Sequence, residues 1–174
     1  MRSQGQRAGS ASRFELAFPY CFPQEPAVSI DVTAEVVISQ PRDAVAAWVC
    51  DPANDLRWIR ALSHAEKQGD GAFGIGTRVE RTAKMMGRPM TYTTEVVAFK
   101  PASHLGMKTV SGPFPMVVDY HFDDAGDGHT RVRVRNRGGK GPLFALFGPL
   151  IGRMVNGRVQ GDLEQMKRVL ESEG

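Results

Sequence analysis

The stretch "TRVERTAKMMGRPMTYTTEVVAF", Thr77 to Phe99, is two alternating runs that meet at a glycine. In the first, Val79, Arg81, Ala83 and Met85 alternate with Glu80, Thr82 and Lys84; in the second, Met90, Tyr92, Thr94 and Val96 alternate with Thr91, Thr93 and Glu95. A period of two places each set on one face of a strand. A two-residue loop at Gly87 and Arg88 makes the runs an antiparallel hairpin and predicts its register: Met85 opposite Met90, Ala83 opposite Tyr92, Arg81 opposite Thr94, Val79 opposite Val96. That row is the more apolar and is expected to face inward. The other row pairs Lys84 with Thr91, Thr82 with Thr93 and Glu80 with Glu95, a polar surface with one like-charge pair.

Working outward, alternation without helical periodicity fills some eighty residues, read as six strands at roughly 62–68, 76–86, 90–100, 103–110, 114–124 and 129–138. The short links "GDGAFG", "GR", "KPAS", "SGPF" and "DAGDG" make neighbours antiparallel. Before them, "DVTAEVVI" alternates Val32, Ala34, Val36 and Ile38 with polar residues and forms a first strand. Two short helices follow. Ser39 and Pro41 open one that carries Val45, Trp48 and Val49; Pro52, Asn54 and Asp55 restart the chain into one that carries Leu56, Trp58 and Ile59. From Pro142 to Glu171 the apolar set Phe144, Phe147, Ile151, Val155, Val159, Leu163, Met166 and Leu170 recurs at helical spacing, predicting a long closing helix.

Residues 1–28 are small and polar, then broken by Pro19, Pro23 and Pro26, and are expected to be a tail; residues 29–174 are expected to be a single domain. Lys plus Arg number 22 against 19 Asp plus Glu, a formal +3 that neither demands nor excludes an acidic partner. Two cysteines, Cys21 and Cys50, without metal or disulfide spacing, point to a reducing, cytoplasmic setting. No apolar run reaches the length of a membrane span.

The order of strand, two short helices, six-stranded meander and long helix resembles the START-like helix-grip superfamily, which includes polyketide cyclase/dehydrase-like and pollen-allergen-like proteins. The residues that carry the resemblance are "ISQPRDAVAAWVCDPANDLRW", "GIGTRV", "EVVAFKP", "VDYHFDDAGDGHTRV" and "DLEQMKRVLE", spread between Ser29 and Glu171. The resemblance implies an α+β helix-grip fold: a seven-stranded curved antiparallel sheet around the C-terminal helix, with an apolar cavity between them for small hydrophobic ligands. It implies no single reaction.

Alternation in "FPMVVDYHF" sends Phe114, Met116, Val118, Tyr120 and Phe122 inward, and Leu105, Met107, Val132 and Val134 follow. Such rows also build solid cores; an arginine among them discriminates, because a buried guanidinium must be paired, reach the rim or meet a ligand's polar end. Arg81, with Tyr92 and Thr94 beside it, is the expected polar anchor. Met107, Met116, Tyr120, Ile151 and Val155 are the expected apolar lining, and Trp58 is carried over from the resemblance as bordering the cavity mouth. The expected partner is a small hydrophobic ligand. The rival readings are a cyclase or dehydratase using the same cavity, with Tyr92, Tyr120, Arg81, Arg158 or Asp162 as candidate groups, and a partner-binding module. No catalytic residue is assigned, and oligomeric state is not legible.

Other motifs carry less. "GDGAFG" matches G-x-G-x-x-G, but a strand rather than a helix follows it, so it reads as a hairpin loop. His64, His104, His121 and His129 lack ligand spacing, so no metal or cofactor is expected. Gly148, Gly152, Gly157 and Gly161 in the last helix point to close helix-to-sheet packing first and to space for a ligand second. "PLFALFGPLIG" is the most apolar run and reads as a helix start, a lid or a surface for membrane or partner. In "TRVRVRNRG", Arg131, Arg133, Arg135 and Arg137 are expected to lie among Asp31, Glu35, Asp119 and Asp123 of the neighbouring strands, which argues against nucleic-acid binding.

Overall fold

The computed structural model describes residues 30–85, 87–139 and 142–173, with the side chains of 85 and 142–149 outside the description. The expected tail, and the side chains of Phe144 and Phe147, therefore lie outside the described residues. The elements are β1 (Ile30–Ile38), α1 (Arg42–Val49), a 3-10 turn (Pro52–Asn54), α2 (Asp55–Trp58), β2 (Leu62–Gln68), β3 (Arg78–Met85), β4 (Arg88–Lys100), β5 (His104–Ser111), β6 (Met116–Gly126), β7 (His129–Gly138) and α3 (Pro142–Glu173). The strands form one antiparallel sheet in the order β1-β7-β6-β5-β4-β3-β2. This is the helix-grip arrangement.

The hairpin of β3 and β4 keeps its faces and changes its register. Met85 pairs with Arg88, Ala83 with Met90, Arg81 with Tyr92 and Val79 with Thr94, a shift of two from the expected pairing. The turn falls one residue earlier, with Gly87 in the left-handed region at φ 82°. An even shift preserves the inward row. It also replaces the expected Glu80–Glu95 repulsion, since Arg78 now stands opposite Glu95 and donates to it at 2.9 Å.

The core lies between the concave face of the sheet, α1, α2 and the second half of α3. Ala34 and Ile38 of β1, Val96 of β4, Leu105 and Met107 of β5, Val118, Tyr120 and Phe122 of β6, and Val132 and Val134 of β7 are buried there. They meet Val45, Ala46 and Val49 of α1, Trp58 of α2, and Leu163, Met166 and Leu170 of α3. Ser39 does not cap α1: Pro41 holds the cap position without a side-chain bond, and the Ser39 N–H is donated to Glu171 at 2.8 Å.

Helix α3 packs mainly along β1. Gln160 donates to the Glu35 carbonyl at 3.2 Å and Lys167 to the Val37 carbonyl at 2.7 Å. These bonds cover carbonyls that an edge strand otherwise leaves open to other chains. On the convex face three of the four β7 arginines meet the expected carboxylates: Arg135 with Asp31 at 2.6 Å, Arg133 with Asp123 at 3.2 Å and Glu35 at 3.7 Å, and Arg137 with Asp119 at 3.1 Å; Arg131 forms no ion pair among the described residues.

Candidate functional site

The site starts from a single turn of helix. Asp51 accepts the Ala53 N–H at 3.0 Å, Pro52 fixes the first residue of the 3-10 turn, and α2 follows at once with Asp55 as its first residue. Asp55 and Trp58 are three positions apart and so share a face of α2. Both are buried against the sheet.

Asp55 Oδ2 accepts from Arg81 Nε at 2.8 Å, and Arg81 Nη1 donates to Thr94 Oγ1 at 2.6 Å. Thr94 in turn directs its hydroxyl to the Met107 sulfur at 3.9 Å. Tyr92 is the cross-strand neighbour of Arg81, and the Trp58 ring meets the Tyr120 ring edge-on, centroids 6.5 Å apart at 82°. A guanidinium has five N–H donors. Two are committed here, so three remain among the described residues.

The same region holds further unmatched donors. The Trp58 indole N–H is enclosed with no partner among the described residues. The hydroxyls of Tyr92 and Tyr120 enter no hydrogen bond within that set. Burial raises both phenols above their ordinary value, with Arg81 opposing and Asp55 reinforcing, so they hold their protons and act as donors. Burial likewise holds the Asp55 carboxyl above its ordinary value, against the pull of Arg81. The arrangement is a polar cluster set into an apolar wall: one buried carboxyl, one buried guanidinium and two protonated phenols.

Residues 29–171 match the family model described as polyketide cyclase / dehydrase and lipid transport. The chain belongs to that family. Solved structures agree on the fold. A Thermus thermophilus protein superposes with a TM-score of 0.70 at 21% identity, over 83% of this chain and 99% of that one. The Zhui aromatase/cyclase of a Streptomyces species gives 0.67 at 15% identity, over 81% and 93%. A START superfamily protein from Mycobacterium smegmatis gives 0.60 at 13% identity, over 78% and 98%. The search of curated proteins finds no match. Membership supports a ligand-binding or cyclase role in general.

Within this family member, Trp58, Arg81, Tyr92, Thr94, Met107 and Tyr120 are brought together as a group. Met116 lies half-buried at the head of β6, and Ile151 and Val155 lie half-buried on the first half of α3. Among the described residues, no hydrogen bond, ion pair or ring contact ties these three to the cluster. Asp162 is engaged with Arg60, whose Nε donates to its Oδ1 at 3.2 Å, and Arg158 is exposed. Asp55 is the residue that sequence reasoning missed. Its place at a helix restart was legible, but nothing local says that the same carboxylate is the partner of Arg81.

A cavity of about 490 Å³ opens between the 3-10 turn, β2 and β4, and neither member of the ion pair nor any of the expected lining residues borders it. Its wall runs from Cys50 at the end of α1 through Pro52 to Ala65 of β2, with Phe73 and Phe99 facing it. Ala65 is the cross-strand partner of Arg81, and Pro52 and Ala53 lead directly into Asp55. The two phenylalanines form an edge-on pair 5.6 Å apart at 79°. Burial pushes the Cys50 thiol up to about 11, so it is held as the neutral thiol, and Asp51, Glu66 and Lys67 supply the charged part of the wall. Among the described residues no cluster of His, Cys, Asp or Glu could hold a metal ion, and no helix is long and apolar enough to cross a membrane.

Proposed function

We propose that this chain binds a small, largely apolar molecule against the concave face of the sheet, with Arg81 as its polar anchor. One observation carries the reading: a buried arginine, fixed by Asp55 and Thr94, keeps three N–H donors uncommitted among the described residues within an otherwise apolar wall. Such a group recognises a carboxylate, carbonyl or phenolate oxygen, because an oxygen that meets its remaining donors in an apolar setting gains charge-assisted hydrogen bonds. Trp58, Tyr92, Thr94, Met107 and Tyr120 would form the wall around that oxygen, and Met116, Ile151 and Val155 its open end toward α3. Native mass spectrometry of protein purified from its own host is expected to find a retained small molecule of this kind. Titration with carboxylated and neutral forms of one hydrophobic probe, on wild type and Arg81→Ala, tests the anchor. A selective loss for the carboxylated probe is expected, and equal losses would reject it.

The Asp55 carboxyl favours a second reading. A carboxyl held above its ordinary value by burial, beside a fixed cation and two phenols, is equipped for proton transfer as well as recognition. In a cyclase or dehydratase reaction Asp55 would move the proton, while Arg81 and the tyrosines would hold the developing oxyanion. Incubation with a linear poly-β-ketone thioester, with product analysis for wild type and Asp55→Asn, separates the readings. Turnover lost with Asp55→Asn while binding persists favours the enzyme; binding without turnover in wild type favours the carrier.

A further inference from the structure

The two halves of α3 differ in what holds them. From Gln160 onward the helix is fixed to β1 by Gln160 and Lys167 and to Ser39 just beyond it by Glu171, and it buries Leu163, Met166 and Leu170. In the first half Leu150 is 71% exposed and Met154 53% exposed, one helical turn apart. In the sequence, Leu143, Leu146 and Phe147 precede Leu150 by seven, four and three residues, the spacing of one helical face. Arg153 and Arg158 are exposed on this half as well. From Pro142 to Gly161 there is no Asp or Glu. The second half differs in charge too, since Asp162, Glu164, Glu171 and Glu173 are interspersed with Lys167 and Arg168.

We propose that the first half of α3 docks on an anionic lipid surface, with Leu150 and Met154 inserted at the boundary and Arg153 and Arg158 meeting the headgroups. An apolar stripe flanked only by basic residues is the pattern of a helix that lies in the plane of a membrane. Charge decides between occupants. Two copies of this face brought together by a twofold axis would set arginines near arginines with no carboxylate of the stretch to compensate, whereas an anionic bilayer supplies both an apolar layer and the opposite charge. Docking is independent of what the interior of the sheet binds.

Flotation of the full chain with phosphatidylcholine vesicles, with and without phosphatidylglycerol, tests this. Wild type is expected to float with the anionic vesicles and not with the neutral ones, and less so in high salt. Leu150→Ser/Met154→Ser and Arg153→Glu/Arg158→Glu are each expected to weaken anionic flotation by about tenfold or more. Circular dichroism and urea midpoints should stay at wild-type values, since these side chains are exposed. The proposal is overturned by no flotation with anionic vesicles, by flotation that salt and both variants leave unchanged, or by a dimer in sedimentation that Leu150→Ser/Met154→Ser dissociates. Should either variant unfold, the salt and lipid dependence of wild type alone decides, salt-insensitive flotation overturning it.

Discussion

Asp55, at the head of α2, and Arg81, on β3, meet at 2.8 Å with 3% and 8% of their side chains exposed. One helical turn is thereby fastened to the sheet by a desolvated ion pair. Removing one partner strands the other in an apolar setting, at a cost of about 3–5 kcal/mol. Asp55→Ala and Arg81→Met are each expected to lose roughly that much in urea unfolding, and the double variant less than their sum. An additive cycle would mean that the pair contributes nothing as a pair.

The loss in Arg81→Met should also depend on pH. Burial already holds the Asp55 carboxyl above its ordinary value of 3.8, and Arg81 is what pulls it down. Without Arg81 the folded state favours the protonated acid more strongly still. A carboxyl raised in the folded state contributes stability that is present below its unfolded value and lost as pH rises through the folded one. The deficit of Arg81→Met relative to wild type is therefore expected to grow from acid to neutral pH. A deficit that shrinks over that interval would contradict the reading.

Asp31 behaves in the opposite sense. Arg135 donates to both of its carboxylate oxygens, at 2.8 and 2.6 Å, and holds it below its ordinary value of 3.8. Its contribution is present above the unfolded value and lost as pH falls through the folded one. Both side chains are nearly half exposed, so Asp31→Asn should cost only about 0.2–1 kcal/mol at neutral pH. Thermal unfolding in strong acid should show wild type and variant converging.

Much of this was legible before any coordinates. Strict alternation named the seven strands, because a sheet with one buried face leaves a period of two, and it picked Arg81 as the anomaly on an apolar row. The hairpin register was missed by two because local turn rules do not weigh the Arg78–Glu95 pair that the true register forms. Asp55 was missed for a different reason. The run "PANDLRW" carries only a helix-start signal, and its burial comes from α2 lying against β2 and α3 with Arg81 reaching it from β3, which no local pattern encodes. The cavity wall was equally hidden, since Cys50, Ala65, Phe73 and Phe99 come from separate segments.

Cys50 gives a chemical probe of that wall. With its thiol pushed up to about 11 by burial, the thiolate fraction at mildly alkaline pH is roughly two hundredfold below that of a free cysteine. In a Cys21→Ser background, alkylation of Cys50 should be slower than for a model thiol by about that factor, and urea should restore the ordinary rate. Ordinary reactivity in the folded protein would place Cys50 in a wetter environment than the one described.

Gly112, in the turn between β5 and β6, controls where Tyr92 sits. It adopts φ 129°, and a Cβ added there would stand 2.6 Å from the Tyr92 Cβ and 3.1 Å from its Cα. An alanine would be strained in its own backbone and would also displace β4 at the residue that flanks Arg81. Gly112→Ala is expected to cost about 1–3 kcal/mol of stability. Because the displacement is local, it should weaken binding of a carboxylated hydrophobic probe more than Ile38→Val does, a change in the fully buried core expected to cost about 0.5–1.5 kcal/mol. The comparison separates general loosening from loss of the Tyr92 position. If Gly112→Ala unfolds more readily yet binds the probe with wild-type affinity, Tyr92 has no part in recognition and the anchor reduces to Arg81 and Thr94.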